Sequence, residues 1–387
     1  MKILFAPDKF KGSCTAQAAA AAMARGWVSV FPGDQMVLLP VADGGEGTVA
    51  ALYAARGGQL RTETVRGPLG QTVCAQWLLM DGGVAIVEMA QASGLHLLGA
   101  NRGDVRRATT YGVGQLLRLV LDAGCTQIIL GLGGSATNDG GMGCLQALGA
   151  RFLGDSAHIV LPGDLLRLRQ VDTALLDPRL AHCRLTLASD VTNPLCGPQG
   201  ASAIFGPQKG ASPDDVEHMD ACLASLACCA GPEGEACART PGSGAAGGLG
   251  WGLMRYANAQ RVAGIDLVLD AAGFDGHLQD AALVVTGEGA MDGQTAGGKA
   301  VLGIASRAAK AGVPVAVLAG TLAMGHEALY GHGVDCAMSI LPGPMPLAQA
   351  MAQAEPLLEA AAARLARILA TAKKINNGQD GAHRERA

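Results

Sequence analysis

The sequence predicts an α/β fold with two domains: a parallel, doubly wound sheet and a second, mixed α/β domain. Three observations carry this prediction. Apolar runs typical of buried strands alternate with helical patterns along most of the chain. The alternation is interrupted once, by a group of short strands joined through tight turns. At 387 residues, the chain is also longer than one hydrophobic core usually supports.

The strands of the parallel sheet are predicted from short apolar runs bounded by polar or glycine-rich segments. These runs cover residues 3–6, 37–41, 127–130, 185–188, 283–286, 315–319 and 336–341. Helical patterns separate them, among them residues 16–30, 113–123, 142–148 and 302–311. Regular alternation of this kind indicates parallel strands with helices on both faces of the sheet.

The interruption lies between residues 60 and 90. Its short strands are joined by Gly-Pro-Leu-Gly and Asp-Gly-Gly turns and are predicted at residues 60–65, 72–79 and 83–88. Strands joined so closely indicate an antiparallel meander. This segment is therefore the best candidate for a mixed domain inserted into the first domain.

The predicted domain boundaries follow from these patterns. We expect a discontinuous α/β domain of residues 1–60 and 281–375, with residues 61–280 as the inserted mixed domain. A long helix is predicted over residues 346–374, and Pro356 should break or kink it. The polar residues 376–387 are expected to form a loose tail.

The composition and charge of the chain indicate which classes of protein it belongs to. Charged residues make up only 16% and aromatic residues 3%, with 56 glycines, which is typical of an Ala/Gly-rich α/β enzyme. A net charge of −4 gives no reason to expect a nucleic-acid partner. The apolar stretches end before 18 residues, so no membrane span is predicted. Because a strand pattern starts at once, without a signal-peptide layout, we expect a cytoplasmic protein.

The eleven cysteines are predicted to be free thiols. No C-x-x-C pair occurs. Cys222, Cys228, Cys229 and Cys237 lie in or beside an Ala-rich helical stretch without histidines at ligand spacing. Neither a zinc site nor a disulfide framework is therefore expected.

Three polar loops follow predicted strands and precede helical patterns, at residues 7–13, 42–48 and 131–141. The last reads GLGGSATNDGG. Glycines let the backbone approach a ligand, and hydroxyl and amide side chains donate hydrogen bonds. Ligands of open α/β sheets bind at this edge, so the loops predict a site for an anion such as phosphate. An ordinary strand-to-helix turn is the alternative for a glycine loop taken alone.

The segment 190–195 also follows an apolar strand. Pro194 biases Asn193 to an extended backbone, which holds the polar side chains at the strand end. Asp190 is thus a candidate base or magnesium ligand. An Asp that merely satisfies backbone N–H groups of a turn is an equally good interpretation of this pattern.

The segment 286–300 contains a degenerate phosphate-loop pattern. Residues 293–299 spell G-x-x-x-x-G-K, but Ala300 stands where Ser or Thr would bind magnesium. We therefore do not expect a Walker A loop. Lys299 is a candidate cation for phosphate, and Glu288 and Asp292 are candidate magnesium ligands.

Two other functions remain open at this point. Gly131-x-Gly133-x-x-Ala136 is similar to a dinucleotide fingerprint, which would indicate a nicotinamide-dependent hydroxy-acid dehydrogenase, although no ribose-binding acid follows it. A non-catalytic anion-binding module is the other possibility. The density of acids beside cations in the loops disfavours that module.

The residues carry a family resemblance over positions 1 to about 370. The chain resembles the type I glycerate kinases, a bacterial family that phosphorylates D-glycerate with ATP. The matching motifs are APDKFKGS (6–13), VADGGEGT (41–48), GGSATNDGG (133–141), DVTNPL (190–195), FGPQKGA (205–211), GSGAAGGLG (242–250) and GEG (287–289). The resemblance implies two α/β domains, one of them discontinuous, with the active site in the cleft between, and 2-phosphoglycerate as the product. The chain departs from the family pattern at Ala290, where arginine is usual, and at Val301, where proline is common.

Site residues are assigned on this basis, with ATP and Mg²⁺ as cofactors and D-glycerate as substrate. The assignments are Asp190, Asp43 and Lys11 as catalytic; Lys9, Ser13, Thr192 and Asn193 as substrate-binding; Gly133, Gly134, Ser135, Thr137, Asn138 and Lys299 as nucleotide-binding; and Glu288 and Asp292 as metal ligands. The residues alone leave open which carboxylate is the base, whether O2 or O3 is phosphorylated, and the oligomeric state.

Overall fold

The computed structural model describes residues 1–42, 44–99, 104–155, 161–291 and 299–384. The chain divides into two compact units, and each unit contains more than one segment. Unit 1 contains residues 1–42, 50–56 and 268–387, and unit 2 contains residues 43–49 and 57–267. All ten strands predicted from the sequence are present within these described residues, shifted by at most a few positions.

The strands and helices follow one another in an α/β pattern. The strands are β1 (Lys2–Phe5), β2 (Gln35–Leu38), β3 (Gln59–Arg66), β4 (Thr72–Met80), β5 (Val84–Glu88), β6 (Gln127–Gly131), β7 (Arg151–Gly154), β8 (Leu168–Asp172), β9 (Arg184–Ala188), β10 (Gln260–Val262), β11 (Ala281–Thr286), β12 (Ala290–Met291), β13 (Val315–Ala319), β14 (Thr321–Leu322) and β15 (Cys336–Ser339). The helices are α1 (Ala16–Val28), α2 (Thr48–Arg56), α3 (Ala90–Ser93), α4 (Tyr111–Asp122), α5 (Met142–Ala147), α6 (Ala201–Phe205), α7 (Pro213–Cys229), α8 (Gly231–Ala238), α9 (Leu249–Tyr256), α10 (Gly264–Ala272), α11 (Phe274–Leu278), α12 (Lys299–Lys310), α13 (Leu347–Ala352) and α14 (Ala354–Arg384).

Unit 1 is built on a five-stranded, fully parallel sheet in the order β15-β13-β11-β1-β2. Every residue of β13 is buried, as expected for a central parallel strand covered on both faces. Helices α1 and α14 pack together on this sheet through residues such as Trp27 and Leu358. A Cβ on Gly26 would lie 2.0 Å from the carbonyl oxygen of Glu359, so glycine lets the two helices approach closely.

Unit 2 is built on a mixed sheet of six strands in the order β10-β9-β6-β5-β4-β3. The predicted meander is its antiparallel edge, because β3, β4 and β5 pair antiparallel while β5, β6, β9 and β10 pair parallel. The seven predicted parallel strands therefore belong to two sheets, not to one. An apolar run fixes that a strand forms, but it does not select the strand's partner.

The C-terminal region departs from its prediction in one respect. The helical stretch is interrupted at Gln353, between α13 and α14, and Pro356 lies in the first turn of α14, where a missing N–H is tolerated. Helix α14 continues to Arg384, so the loose tail expected from residue 376 is helical up to that residue.

The cysteine prediction is confirmed, since all eleven cysteines are free. None of the described helices is long and apolar enough to span a membrane.

Candidate active site

A glycine-rich segment connects β6 to α5 in unit 2; we call residues 132–141 the glycine loop. Gly134 is exposed and has a φ of +73°, which glycine adopts without strain. A Cβ on Gly133 would lie 2.6 Å from the Cα of Gly45. Glycine is therefore needed at position 133 for two backbone segments to meet, while position 134 is open to solvent.

The exposed part of the glycine loop presents backbone donors. The Gly134 carbonyl accepts from the Leu95 N–H at 2.8 Å. Because the peptide is trans, the N–H of Ser135 points the opposite way. In the part of the chain that the structure describes, the N–H groups of Gly133, Gly134 and Ser135 reach no acceptor. Consecutive unpaired N–H groups in a loop form a concave site that suits an anion.

Asp139 fixes the inner end of the glycine loop. Its carboxylate is fully buried and accepts from the N–H and hydroxyl of Thr110, both at 2.8 Å, and from the N–H groups of Gly141 at 3.0 Å and Gly143 at 3.1 Å. Burial raises the pKa of Asp139, and these hydrogen bonds oppose the rise. The carboxylate thus joins the loop to the starts of α4 and α5.

A second loop lies against the glycine loop. A Cβ on Gly131 would lie 2.5 Å from the carbonyl oxygen of Gly44. The buried Glu88, at the end of β5, accepts from the N–H groups of Gly47 at 3.1 Å and Val49 at 2.7 Å. Glu88 therefore holds residues 47–49 at the same sheet edge as the glycine loop.

Asp190 lies at the same edge of the sheet, just after the neighbouring strand β9. The N–H of Leu132 donates to the carbonyl of Ala188, the last residue of β9, at 3.2 Å. Asp190 is half-buried, and its Oδ1 accepts from the N–H of Gly264 at 3.0 Å. One carboxylate oxygen thus satisfies a backbone donor, as the turn interpretation expects, and this bond orients the carboxylate at the carboxyl end of the parallel strands.

The two polar residues that follow Asp190 differ. The Thr192 residue is exposed. The Asn193 amide donates to the carbonyl of Gln199 at 2.8 Å, and the Asn193 carbonyl accepts from the N–H of Gly244 at 3.0 Å. Asn193 therefore shapes its own turn, whereas Thr192 is accessible to a ligand.

The inner residues of the glycine loop lie in the interior. Thr137 and Asn138 are 0% and 2% exposed. The Asn138 amide donates to the hydroxyl of Ser202 at 2.8 Å. Within the described residues, Thr137 Oγ1 and Asn138 Oδ1 are buried without a hydrogen-bond partner. Among the predicted nucleotide-binding positions of this loop, residues 133–135 are thus accessible and the other two are not.

Lys209 lies against the same interior segment. It is wholly buried, and its Nζ donates to the carbonyl of Thr137 at 2.6 Å. Burial lowers the pKa of Lys209 to about 8, opposed by the negative charge of Asp139.

In unit 1, the loop after β1 lies beside the loop after β11. The Asp8 N–H donates to the carbonyl of Gly287 at 3.0 Å. A Cβ on Gly289 would lie 3.5 Å from the backbone nitrogen of Lys11. The two predicted loops that carry Lys11 and Glu288 are therefore brought together at one edge of the unit 1 sheet.

The other predicted substrate-binding residues of unit 1 lie on the same loop. Lys11 is exposed and Lys9 is half-buried. The Ser13 hydroxyl donates to the carbonyl of Met351 at 2.8 Å. Ser13 would have to give up this bond to donate to a substrate carboxylate.

The side chains of three assigned residues lie outside the part of the chain that the structure describes. Asp43 and Asp292 lie outside the described residues, and Lys299 begins α12 with its side chain outside them. Ala300, the next residue, is 2% exposed.

Comparison with known proteins agrees with the sequence pattern. The model of the glycerate kinase family matches residues 3–370. A glycerate kinase of Bacillus subtilis (strain 168) is 46% identical over 379 residues, which is 97% of this chain and 99% of the relative. Glycerate 2-kinase of Escherichia coli (strain K12) is 43% identical over 352 residues, covering 88% of this chain and 91% of the relative. The chain belongs to the glycerate kinase family.

A solved structure supports this membership. The crystal structure of a protein assigned as glycerate kinase 2 from Salmonella typhimurium LT2 has a TM-score of 0.84 and 40% identity, covering 97% of this chain and 99% of that one. The predicted α/β fold and enzyme class, a glycerate kinase, are thereby confirmed. The dehydrogenase and the non-catalytic module, both left open by the residues, are not supported.

Sequence reasoning did not assign the buried charges around the glycine loop, which are Glu88, Asp139 and Lys209. Glu88 reads as the last residue of a strand, and Asp139 reads as one more polar residue of the loop. Lys209 has a usable signal, because it is the only lysine in residues 43–267, where every other Lys/Arg position is arginine.

Proposed function

We propose that this chain is an ATP-dependent kinase that phosphorylates D-glycerate at O2 and releases 2-phosphoglycerate. Family membership supports the reaction, and the E. coli relative named glycerate 2-kinase supports the position. The structural observation that carries the proposal is the row of accessible, acceptor-free N–H groups at residues 133–135. Phosphoryl transfer depends on positioning and charge neutralisation, which such donors provide.

The nucleotide phosphates fit the exposed part of the glycine loop. A Cβ on Gly134 would meet only the Cβ of Ala90, at 3.3 Å, so the space around this backbone is open to a ligand. Ser135 adds a hydroxyl donor. Thr137 and Asn138 are buried, so we propose that they support the loop from the interior and do not contact the nucleotide directly. Lys299 is proposed as a further cation for the phosphates.

Asp190 is proposed to orient or deprotonate the attacking hydroxyl of glycerate. A carboxylate in this role must be held in a fixed direction within hydrogen-bond reach of the hydroxyl. The bond from the Gly264 N–H supplies that orientation. Asp43 is the alternative base.

The acceptor needs cations and short polar groups, because glycerate is a small carboxylate with two hydroxyls. Lys9 and Lys11 are proposed to pair with its carboxylate or with the transferring phosphate. Thr192 and Asn193 are proposed to contact its hydroxyls, and Ser13 its carboxylate.

Magnesium is proposed to accompany ATP. Mg²⁺ usually keeps several waters and takes one or two protein carboxylates plus phosphate oxygens. Glu288 and Asp292 would hold the ion, which would neutralise charge on the phosphates. We expect the reaction to take place in the cytoplasm, where ATP is available.

A product analysis tests the proposal. The purified protein is incubated with ATP, Mg²⁺ and D-glycerate, and the mixture is followed by phosphorus NMR. A resonance of 2-phosphoglycerate that requires all three components is the expected result, with L-glycerate as the control. A 3-phosphoglycerate resonance would contradict the position, and ATP left unchanged would contradict the activity.

A further inference from the structure

Lys209 is an unusual residue for its position. It is the only lysine in residues 43–267, yet it is 0% exposed. It ends the 3₁₀ turn Pro207–Lys209, which follows α6. A lysine is almost never fully buried unless its ammonium has a partner, because removal of an ammonium from water is unfavourable. None of the roles assigned above includes it.

The ammonium of Lys209 controls one peptide group of the glycine loop. Its Nζ donates to the carbonyl of Thr137 at 2.6 Å. In a trans peptide the carbonyl and the following N–H are antiparallel, so the N–H of Asn138 points away from Lys209. In the described part of the chain, that N–H has no acceptor. Lys209 therefore sets the direction of an unused donor.

The same carbonyl is enclosed from a second side. A Cβ on Gly247 would lie 2.0 Å from the Thr137 oxygen, and Gly247 has a φ of +67°. Its neighbour Ala246 has a φ of +54°, a strained conformation for a residue with a side chain. Backbone strain of this kind is concentrated at functional sites. The Thr137 carbonyl is thus confined between a glycine backbone and an ammonium.

We propose that Lys209 is a positioning residue for the nucleotide: it holds the Thr137–Asn138 peptide at the inner end of the glycine loop, two residues beyond the accessible donors of residues 133–135, and places a buried positive charge against that peptide. This inference rests on the proposed function, since it assumes that ATP phosphates occupy the loop. Lys209 is itself inaccessible, so it acts on the nucleotide through this peptide and through its field, which is weakly screened in the interior.

Two side-chain oxygens of the same segment lack hydrogen-bond partners. Thr137 Oγ1 and Asn138 Oδ1 are buried and unpaired within the described residues. Buried polar atoms without partners are rare, and they mark a segment whose hydrogen bonding is incomplete in this state.

The inference predicts that nucleotide affinity and protein stability change in opposite directions as the pH rises. The titratable group that acts on Lys209 is the buried Asp139, and burial places the pKa of Lys209 at about 8. Below this pH the ammonium adds its positive charge to nucleotide binding, and above it the neutral amine keeps only its hydrogen bond to the Thr137 carbonyl. Stability changes the other way: between about pH 8 and 10.5 the unfolded chain binds the lysine proton while the folded chain does not, so this group's contribution to stability rises with pH.

The test compares the wild type with Lys209→Met, which keeps an unbranched apolar chain out to Cε and removes the amine and its charge. Affinity for a non-hydrolysable ATP analogue is measured by titration calorimetry from pH 7.5 to 9.5, where the phosphates of the analogue are ionised. We expect the wild-type affinity to fall about tenfold over this range. Lys209→Met should bind about tenfold more weakly at pH 7.5, with a flat pH profile and with the KM for D-glycerate changed less than twofold.

Two further measurements separate positioning from a merely structural role. The difference in Tm between Lys209→Met and the wild type should shift in favour of the wild type as the pH rises from 8 to 10, since the wild type loses its buried charge. The difference is used because thiols with raised pKa add their own slope to both proteins. Arg106→Gln removes an exposed cation, paired with Asp215, from the same unit and should keep the wild-type pH profile.

The outcomes are distinguishable. A pH-independent wild-type affinity, or an unchanged affinity in Lys209→Met, would overturn the role of Lys209 and leave the kinase intact. If Lys209→Met does not fold, Lys209→Gln serves instead: it keeps a donor without charge, and a wild-type pH profile in it would overturn the inference. An ATP analogue that does not bind the wild type at all would refute the proposed function itself.

Discussion

The glycine loop of unit 2 and the loop after β1 in unit 1 hold charge in different ways. Beneath the glycine loop the charged side chains of Asp139 and Lys209 are buried, and the accessible residues 133–135 present backbone N–H groups and the Ser135 hydroxyl. The loop after β1 instead displays cationic side chains, with Lys11 exposed and Lys9 half-buried. The glycine loop therefore offers backbone dipoles of fixed direction, whereas the loop after β1 offers positive charges at the ends of flexible side chains.

The difference predicts how each loop responds to substitution. Fixed donors need no reorganisation when charge develops, and they depend on the backbone conformation of several residues at once. A change in that conformation removes all the donors together. A flexible lysine contributes a single interaction that water and neighbouring groups replace in part. We therefore expect large effects in the glycine loop and moderate ones in the loop after β1.

Gly134→Val should have the largest effect. A β-branched residue at a φ of +73° is strained, so the backbone must move and the donors of residues 133–135 lose their arrangement. We expect binding of a non-hydrolysable ATP analogue to be lost in calorimetry, with the circular dichroism of a folded protein. Gly82→Val is the matched control, because Gly82 has a φ of +76° in a hairpin turn and nothing within 4 Å of an added Cβ.

Both variants should lose about 1–2 kcal/mol of stability from backbone strain. Only Gly134→Val should lose the nucleotide. Normal ATP affinity in that variant would move the nucleotide away from the glycine loop.

Asp190→Asn should lower kcat by about 10²-fold or more, the range expected when a general base is removed. The amide oxygen can still accept from the Gly264 N–H, so the local turn should remain. Asp335→Asn is the control, since Asp335 also accepts a backbone N–H, from Val315 at 2.8 Å, at the amino end of β13. Steady-state kinetics within threefold of the wild type for Asp190→Asn would transfer the role to Asp43.

Lys11→Ala tests the exposed charge of the loop after β1. Loss of one cation that pairs with a carboxylate should raise the KM for glycerate about tenfold and the KM for ATP much less. Lys310→Ala removes an exposed lysine of the same unit, at the end of α12, and should change neither. If only the KM for ATP rose, Lys11 would belong with the nucleotide.

The same two loops show which features of the structure could be predicted from the sequence. Strand runs, such as those of β6 and β13, were identified within a residue or two, because burial imposes an apolar pattern on the chain. The glycine loop was recognised for the same kind of reason: its composition fits a close backbone approach. Features that depend on residues close together in the sequence could therefore be predicted.

Long-range pairing could not be predicted. Lys209 and Thr137 are 72 positions apart, and Glu88 accepts from residues about 40 positions earlier. No periodicity connects such residues. The assignment of Thr137 and Asn138 to direct contact with nucleotide had the same origin, since polarity indicates hydrogen bonding without saying whether the partner is a ligand or the interior.

Ala300→Thr should have the smallest effect on activity, and it tests whether the degenerate pattern at residues 293–299 is a phosphate loop. A true Walker A loop would gain a magnesium ligand and faster turnover from the hydroxyl. Ala300 is 2% exposed on α12, so the added atoms would enter a packed interior and the hydroxyl would not reach solvent. We expect no rise in kcat and a loss of about 1–3 kcal/mol in stability by thermal unfolding. Ala309→Thr, at an exposed position of the same helix, should lose less than half as much. Faster turnover in Ala300→Thr would place the phosphates on this segment instead of the glycine loop, and the contrast between the two loops would no longer describe the nucleotide site.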